Sequence, residues 1–374
     1  MNAVNVKTPR LGPCLGVLLA ALLGVFGGVP EAGARIASRA CAKCHTMHNY
    51  DVRNTASGGV MTKRYKKGGT FEAGTSGEFN PCLMRISGCV GCHVNVGGSD
   101  TIDDVDGTPM AYTTSEPSNG IGLAGGNFWW WLNGGKGDAS AHNVIALGNS
   151  DATFTGKEPP GADTTYTHYY YDKTLGLGCS GSQGCHGRPN VADEWAAMKG
   201  SHHRTDKFIS GSNYVDGTTL AASYRFLMAY YAGDTLDGIR GWEDGAWEQT
   251  PSKDKHNEYD GNICSVCARC HRNFHTFDST HVGTQSPWFL HPTEIYPIDN
   301  SGEYAYYKDY NNTVPVGRAG VIPTAPYQKI WDKDPFVICL TCHRPHGSKY
   351  WKLLRWDYRQ DYVTGCGTCH TYHK

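Results

Sequence analysis

At 374 residues the chain is long enough for one large domain or two to three small ones, and its formal charge of −1 excludes the broad basic surface by which proteins hold nucleic acid. Hydrophobic residues make up only 39% and glycine reaches 47 residues, far above its usual share of roughly 7%. An interior of Leu, Ile and Val alone is therefore excluded, because so little aliphatic surface cannot offset the conformational entropy of folding.

In chain order, residues 1–34 read as a secretory signal peptide. Lys7 and Arg10 form its basic segment, 15–29 its apolar run, and Ala32 and Ala34 an A-x-A site, with cleavage expected after Ala34. Fifteen apolar residues are fewer than the roughly 20 of a transmembrane helix. FWWWL at 128–132 is shorter still, so no membrane span is expected in the mature chain. Residues 35–374 read as a single domain, because no stretch is a convincing linker.

The mature chain opens on Cys41, Cys44 and His45 in CAKCH. The same C-x-x-C-H spacing returns with Cys89, Cys92 and His93, with Cys267, Cys270 and His271, with Cys339, Cys342 and His343, and with Cys366, Cys369 and His370. Cys179, Cys185 and His186, in CSGSQGCH, repeat the pattern with five residues between the cysteines. C-x-x-C-H is the c-type haem attachment signature. Two thiols add to the vinyl groups of one porphyrin, and the adjacent histidine reaches the iron from the same side. Zinc ribbons and disulfides also use paired cysteines, but neither explains a histidine after the second cysteine at every site. Six covalently bound c-type haems are expected. In CSVCARCH, Cys264 competes with Cys267 for one haem, and the standard spacing favours Cys267 and Cys270. Cys82 and Cys264 are left over, a pair that could form a disulfide.

Beyond the six motif histidines, eleven others exist, and methionines number only seven. Bis-histidine, low-potential haems are the natural reading, since methionine ligation raises the potential. Four histidines trail a motif: His48, His275, His346 and His373. A trailing histidine cannot bind its own motif's iron, because three or four residues cannot pass around a porphyrin to its opposite face. It serves another haem or none. His142, His202, His203 and His291 lie far from any motif, as distal ligands should. His168, His256 and His281 read as solvated loop residues.

Between the motifs, 97–165 and 295–326 carry turn chemistry rich in Gly, Pro, Asp and Ser. Short helices are expected in VADEWAAMKGSHH and over 218–231. Motif starts have no constant period, so the chain is no solenoid. The fold class expected is mostly irregular coil with short α-helices and few short strands, a multihaem cytochrome c in which the porphyrins act as the core. Twenty-two Tyr, ten Trp and eleven Phe suit flat porphyrin faces, and 128–131 is expected to pack at a haem edge. After signal cleavage, twelve propionates and six ferric centres would take the chain to about −8, again against nucleic acid. KRYKK at 63–67 reads as a solvated basic face.

CAKCHTMHN, then GGNFWW with AHNV, GCHG, CHRNFH with SPWFLHP, and CLTCHRPHG carry a resemblance in their order. The chain resembles the multihaem c-type cytochromes that polymerise into extracellular filaments, the cytochrome nanowires of metal-respiring bacteria. That resemblance implies a continuous stack of bis-histidine haems, alternating parallel and angled pairs. It implies extracellular electron transfer along a head-to-tail filament of identical subunits, in which His48 ligates a haem of the neighbouring subunit. His346 and His291 match distal ligands of the family. CSGSQGCH departs from the usual spacing and has no trailing histidine, a part that His203 or His202 would take. The protein would be secreted or cell-surface, exported through the periplasm, and would meet other cytochromes and extracellular acceptors as redox partners.

Two other readings stand beside it. A monomeric periplasmic carrier would hold the same haems without polymerising. A multihaem reductase would need an iron with an open position, often through C-x-x-C-K, which does not occur in the sequence. No catalytic residue is expected.

Overall fold

Glycine and proline interrupt this sequence too often for long elements, and the backbone follows suit. The computed structural model describes residues 63–65, 71–73, 89–91, 93–95, 109–117, 124–135, 137–147, 157–198, 224–230, 235–242, 252–253, 256–275, 293, 298, 302–318, 335–360 and 365–370, all within the unit Ala34–Lys374. Most of them are coil and turn.

The sheets among the described residues have two strands each. Strands β1 (Lys63–Tyr65) and β2 (Phe71–Ala73) pair antiparallel, with Arg64 opposite Glu72. The one parallel pair joins β3 (Val94–Asn95) to β4 (Tyr112–Thr113). Antiparallel pairs follow in β5 (Met228–Tyr230) with β6 (Leu236–Gly238), β7 (Gly241–Trp242) with β8 (Glu258–Tyr259), and β9 (Gly317–Arg318) with β10 (Pro335–Phe336). Two-stranded ribbons are marginal in water, so each depends on what it packs against.

The helices are as short. Among the described residues they are α1 (Trp129–Asn133), α2 (Glu194–Ala197), α3 (Ile263–Ala268), α4 (Arg272–His275), α5 (Cys339–Cys342) and α6 (Cys366–Cys369). None approaches the length at which a helix holds itself, and none among the described residues is long and apolar enough to cross a membrane. α5 and α6 begin and end on motif cysteines, so the attachment signature is itself the helical turn.

Buried apolar residues form three separate clusters, and each ends on motif cysteines. Trp356, Tyr307 and Val337 meet Cys342, Cys366 and Cys369. Val90, Phe128 and Val144 meet Cys179. Ile263, Ile338 and Leu340 meet Cys185 and Cys339. A porphyrin bonded through these sulfurs would extend each cluster with its own apolar edge, which is how a chain poor in aliphatic residues gains a core.

Charge is buried too. Glu258 is 0% exposed and Arg318 1%. The Arg318 guanidinium pairs with the Glu258 carboxylate, and His256 Nε2 lies 3.3 Å from its other oxygen. Asp260 bridges to Arg318 through the backbone and faces Arg240 at 3.8 Å. This network fastens β8 to β9.

The helix expected over 218–231 is overturned in its described part. Tyr224–Phe226 is a tight turn and Met228–Tyr230 a strand. Met228 and Ala229, neighbours in sequence, are both buried, and β6 returns alongside to close the ribbon. Tertiary demand has overridden a helix-compatible composition. His168 and His256 are corrected as well: they are buried, not solvated. The His168 ring lies flat on Tyr230 at 3.6 Å between centroids, and His256 on Tyr310 at 3.4 Å.

Removing one member of a buried ion pair leaves its partner charged and unpaired. Arg318→Met is therefore expected to cost about 3–5 kcal/mol, read as a fall in thermal midpoint, and the double variant with Glu258→Leu should recover much of it.

Candidate haem-binding sites

The attachment turns among the described residues share one hydrogen bond. In each, the motif histidine N–H returns to the carbonyl of the first cysteine: His93 to Cys89 at 3.0 Å, His271 to Cys267 at 2.9 Å, His343 to Cys339 at 3.0 Å and His370 to Cys366 at 2.8 Å. This is one helical turn, which sets both sulfurs on one side. The stretched CSGSQGCH makes the same closure: His186 N–H meets the Cys179 carbonyl at 3.0 Å. Its three extra residues are looped out as the turn Gly181–Gln183. Gly184 permits this, because a Cβ there would fall on the backbone of Cys179 and Ser180.

Glu194 secures that loop. It is 5% exposed and accepts the N–H groups of Cys179 at 2.6 Å and Ser180 at 3.2 Å, while its own carbonyl accepts Ser180 Oγ–H at 2.9 Å. Burial pushes its carboxyl up from the ordinary value, and the two N–H groups pull it back. The sequence carries no signal for this residue, since it lies outside every motif.

The imidazoles are oriented from behind. His93 Nδ1 lies 2.7 Å from the Pro109 carbonyl, His186 Nδ1 2.8 Å from Arg225, His271 Nδ1 2.7 Å from Pro160, and His343 Nδ1 2.8 Å from Lys352. The distal candidate His142 has the same bond, 2.7 Å to Pro345. A carbonyl only accepts, so in each ring the proton sits on Nδ1, which makes Nε2 the nitrogen that can ligate a metal. Burial, the largest cause, pushes His142 down to about 4 and His346 to about 3, and lowers His186 and His271. These rings are neutral at neutral pH, as ligation requires.

Two pairs of rings stand at the right separation. His186 and His346 have centroids 6.1 Å apart, and so do His142 and His271. With a metal–imidazole bond of about 2 Å and about 1.1 Å from nitrogen to ring centre, two rings sharing one iron have centres about 6 Å apart. His346 Nδ1 is buried with no hydrogen-bond partner among the described residues, and its ring lies on Phe128 at 4.9 Å. The donor set, its tautomers and its spacing fit c-type haem.

The sites also adjoin one another. Cys89 Sγ, Cys179 Sγ and a Glu194 carboxylate oxygen all lie within 4.8 Å of one another. Cys185 is in electrostatic reach of Cys267, Cys270 of Cys185, and Cys342 of Cys366 and Cys369. His346 feels His93 and His142, and His142 feels His343.

His275 ends α4 and is half-buried. Cys264 is fully buried, and its sulfur receives the Cys339 N–H at 3.2 Å. Cys41, Cys44, His45, His48, Cys82, Cys92, His202, His203, His281, His291 and His373 lie outside the described residues.

Repeated closed C-x-x-C-H turns backed by Nδ1-anchored histidines are the class of site that a multihaem c-type cytochrome uses. A family described as a doubled CXXCH motif matches residues 333–374. The chain is similar to the C-type cytochrome OmcS of Geobacter sulfurreducens, 23% identical over 90% of this chain and 81% of that protein. Two solved structures are also similar. The Outer Membrane Cytochrome S Filament from Geobacter sulfurreducens is 20% identical over 85% of this chain and 84% of that one, with a TM-score of 0.44. The OmcS nanowires from the same organism are 18% identical over 86% and 84%, with a TM-score of 0.37.

Gly184→Ala should prevent closure of the stretched turn. The expected product is a protein one haem lighter by intact mass, with the standard C-x-x-C-H sites still loaded.

Proposed function

We propose that the protein is a hexahaem cytochrome for extracellular electron transfer, exported by cleavage of a signal peptide at residues 1–34 and polymerising head-to-tail as one domain, 35–374. When bound, c-type haem iron supplies a one-electron ferric/ferrous couple. Cys179 and Cys185 would hold one porphyrin, with His186 and His346 as its iron-ligating histidines. Cys267 and Cys270 would hold another, with His271 and His142. The observation that carries this reading is the pair of 6.1 Å imidazole separations in rings that neutral tautomers prepare as ligands.

His346 trails Cys342 by four residues yet stands opposite His186, 160 residues away in sequence. A trailing histidine that serves a different haem brings two porphyrins together, and the adjoining cysteines support the same closeness. Electron transfer over short gaps follows from that spacing, with the protein supplying position and tuning.

The order of motifs from CAKCHTMHN to CLTCHRPHG supports the filament. His48 is assigned to a haem of the neighbouring subunit, a heterologous contact that does not close and so extends as a filament. A coordinate bond across it would fix its geometry. His203, His275 and His291 are assigned as further axial ligands, with Cys41, Cys44, His45 and Cys92 completing the first two attachment sites. At two sites the paired imidazoles would supply both protein ligands of one iron, which favours an electron carrier over an enzyme.

Intact mass of the exported protein should show six covalent haems, and a bare chain or a single haem would end this reading. His48→Ala should keep all six haems and lose the filament in electron micrographs; unchanged filaments would refute the inter-subunit ligand. His346→Met should raise the potential of one haem while leaving it low-spin. Carbon monoxide binding by the reduced native protein would instead reveal an open iron and favour a reductase.

A further inference from the structure

Two segments far apart in sequence make the same unusual turn. Tyr224–Arg225–Phe226–Leu227 and Trp351–Lys352–Leu353–Leu354 are each closed by an N–H of the fourth residue to the carbonyl of the first, at 3.2 and 3.3 Å. The two central residues of both have positive φ: 57° and 58° in Arg225 and Phe226, 58° and 60° in Lys352 and Leu353. That is a type I′ turn, which Asn and Gly normally occupy. These four are the non-glycine residues with positive φ among the described residues.

The surroundings match as well. The second residue of each turn gives its carbonyl to an axial histidine: Arg225 to His186 and Lys352 to His343. The third gives its carbonyl to the residue after that histidine, Phe226 to Gly187 at 2.7 Å and Leu353 to Arg344 at 2.8 Å. The fourth pairs across to the histidine itself, Leu227 with His186 and Leu354 with His343. In both, the basic side chain of the second residue sits 5.0 Å from the centre of the preceding aromatic ring.

We propose that Arg225 and Lys352 are positioning residues for two of the haem irons, held in the left-handed conformation so that their carbonyls fix the plane and basicity of the His186 and His343 imidazoles. The inference rests on the haem-binding reading and deepens it. The aromatic ring before each turn and the cation above it form a clamp that keeps a non-glycine residue in a conformation it rarely adopts. The backbone of 187 and 344 is latched at the same time, so the carbonyl and the imidazole stay in register, and the ring cannot rotate without breaking its Nδ1 hydrogen bond. A hydrogen bond at Nδ1 raises the basicity of a ligating imidazole and so favours ferric iron.

The test compares Lys352→Val with Lys352→Gly, and Arg225→Val with Arg225→Gly, in the full-length secreted protein. β-Branched Val resists positive φ, whereas Gly adopts it freely. Each Val variant is expected to keep all six haems by intact mass. It should change the electron paramagnetic resonance signal of one low-spin ferric haem and shift that haem's reduction equilibrium about tenfold toward the ferrous form, the lower end of the usual outer-sphere effect. Each Gly variant should restore the native signal. Native spectra and titration in the Val variants would overturn the proposal, as would Gly variants that shift as far as Val. A Val variant that lost its haem while Gly kept a native signal would support it. Absence of covalent haem from the unmutated protein would instead strike the haem-binding reading itself.

Discussion

The carbonyl behind five of the imidazoles, those of His93, His142, His186, His271 and His343, is the constraint on which the rest depends. A backbone oxygen near 2.7–2.8 Å puts the proton on Nδ1, and that one choice turns a buried histidine into a metal ligand. These oxygens come from 9 to 203 residues away in the chain. A helix or sheet would have consumed them in its own ladder. The coil between the motifs is thus the means by which free carbonyls are delivered to rings, rather than the residue of a failed fold.

The residues that supply them follow a rule. Pro109, Pro160 and Pro345 provide three, and proline's fixed φ and missing N–H keep it out of helix interiors and central strands. Arg225 and Lys352 provide the other two, in left-handed turns. Strained non-glycine backbone costs about 1–3 kcal/mol a residue and persists only where the surroundings over-determine it. Here the surroundings are the histidine, its successor and an aromatic ring clamped by a cation. Each of these five imidazoles is therefore held by a residue whose φ is fixed by its ring or forced by its neighbours.

Much of this was legible in the sequence, and the illegible part has identifiable causes. The spacing of cysteines and histidines gave the attachment turns, because one helical turn suffices to form them. It also gave the stretched site, though the looping-out of Gly181–Gln183 and the closure by Glu194 were hidden: a buried carboxylate that accepts backbone N–H groups has no pattern of its own. A type I′ turn without Asn or Gly leaves no mark in a sequence, so the segment around Arg225 reads as helix. His168 and His256 read as surface residues because nothing near them in sequence points to Tyr230 and Tyr310 lying flat against them. Axial pairing was out of reach for a simpler reason. His142 meets His271 and His186 meets His346 only after loops of more than a hundred residues have closed, and local spacing says nothing about that.

Segment 343–347 shows how binding and folding become one event. His343 belongs to its own motif, His346 stands opposite His186, and the carbonyl of Pro345 orients His142, which stands opposite His271. Gly347 follows with φ at +126°, and a Cβ there would lie 2.6 Å from Ala141. It accepts the Asn127 N–H, which starts the α1 segment, and His346 N–H reaches Gly125. Five consecutive residues thus bear on three haem sites and two loops. On the proposed ligation each of those sites would supply a ligand or an orienting oxygen to the next, so they would support one another. A chain with small, separate apolar clusters among its described residues would gain cooperativity this way: the proposed axial ligands of one site are the structural supports of another. The same sharing forces the sites close together, so the arrangement that stabilises the fold is also the one that short-range electron transfer requires.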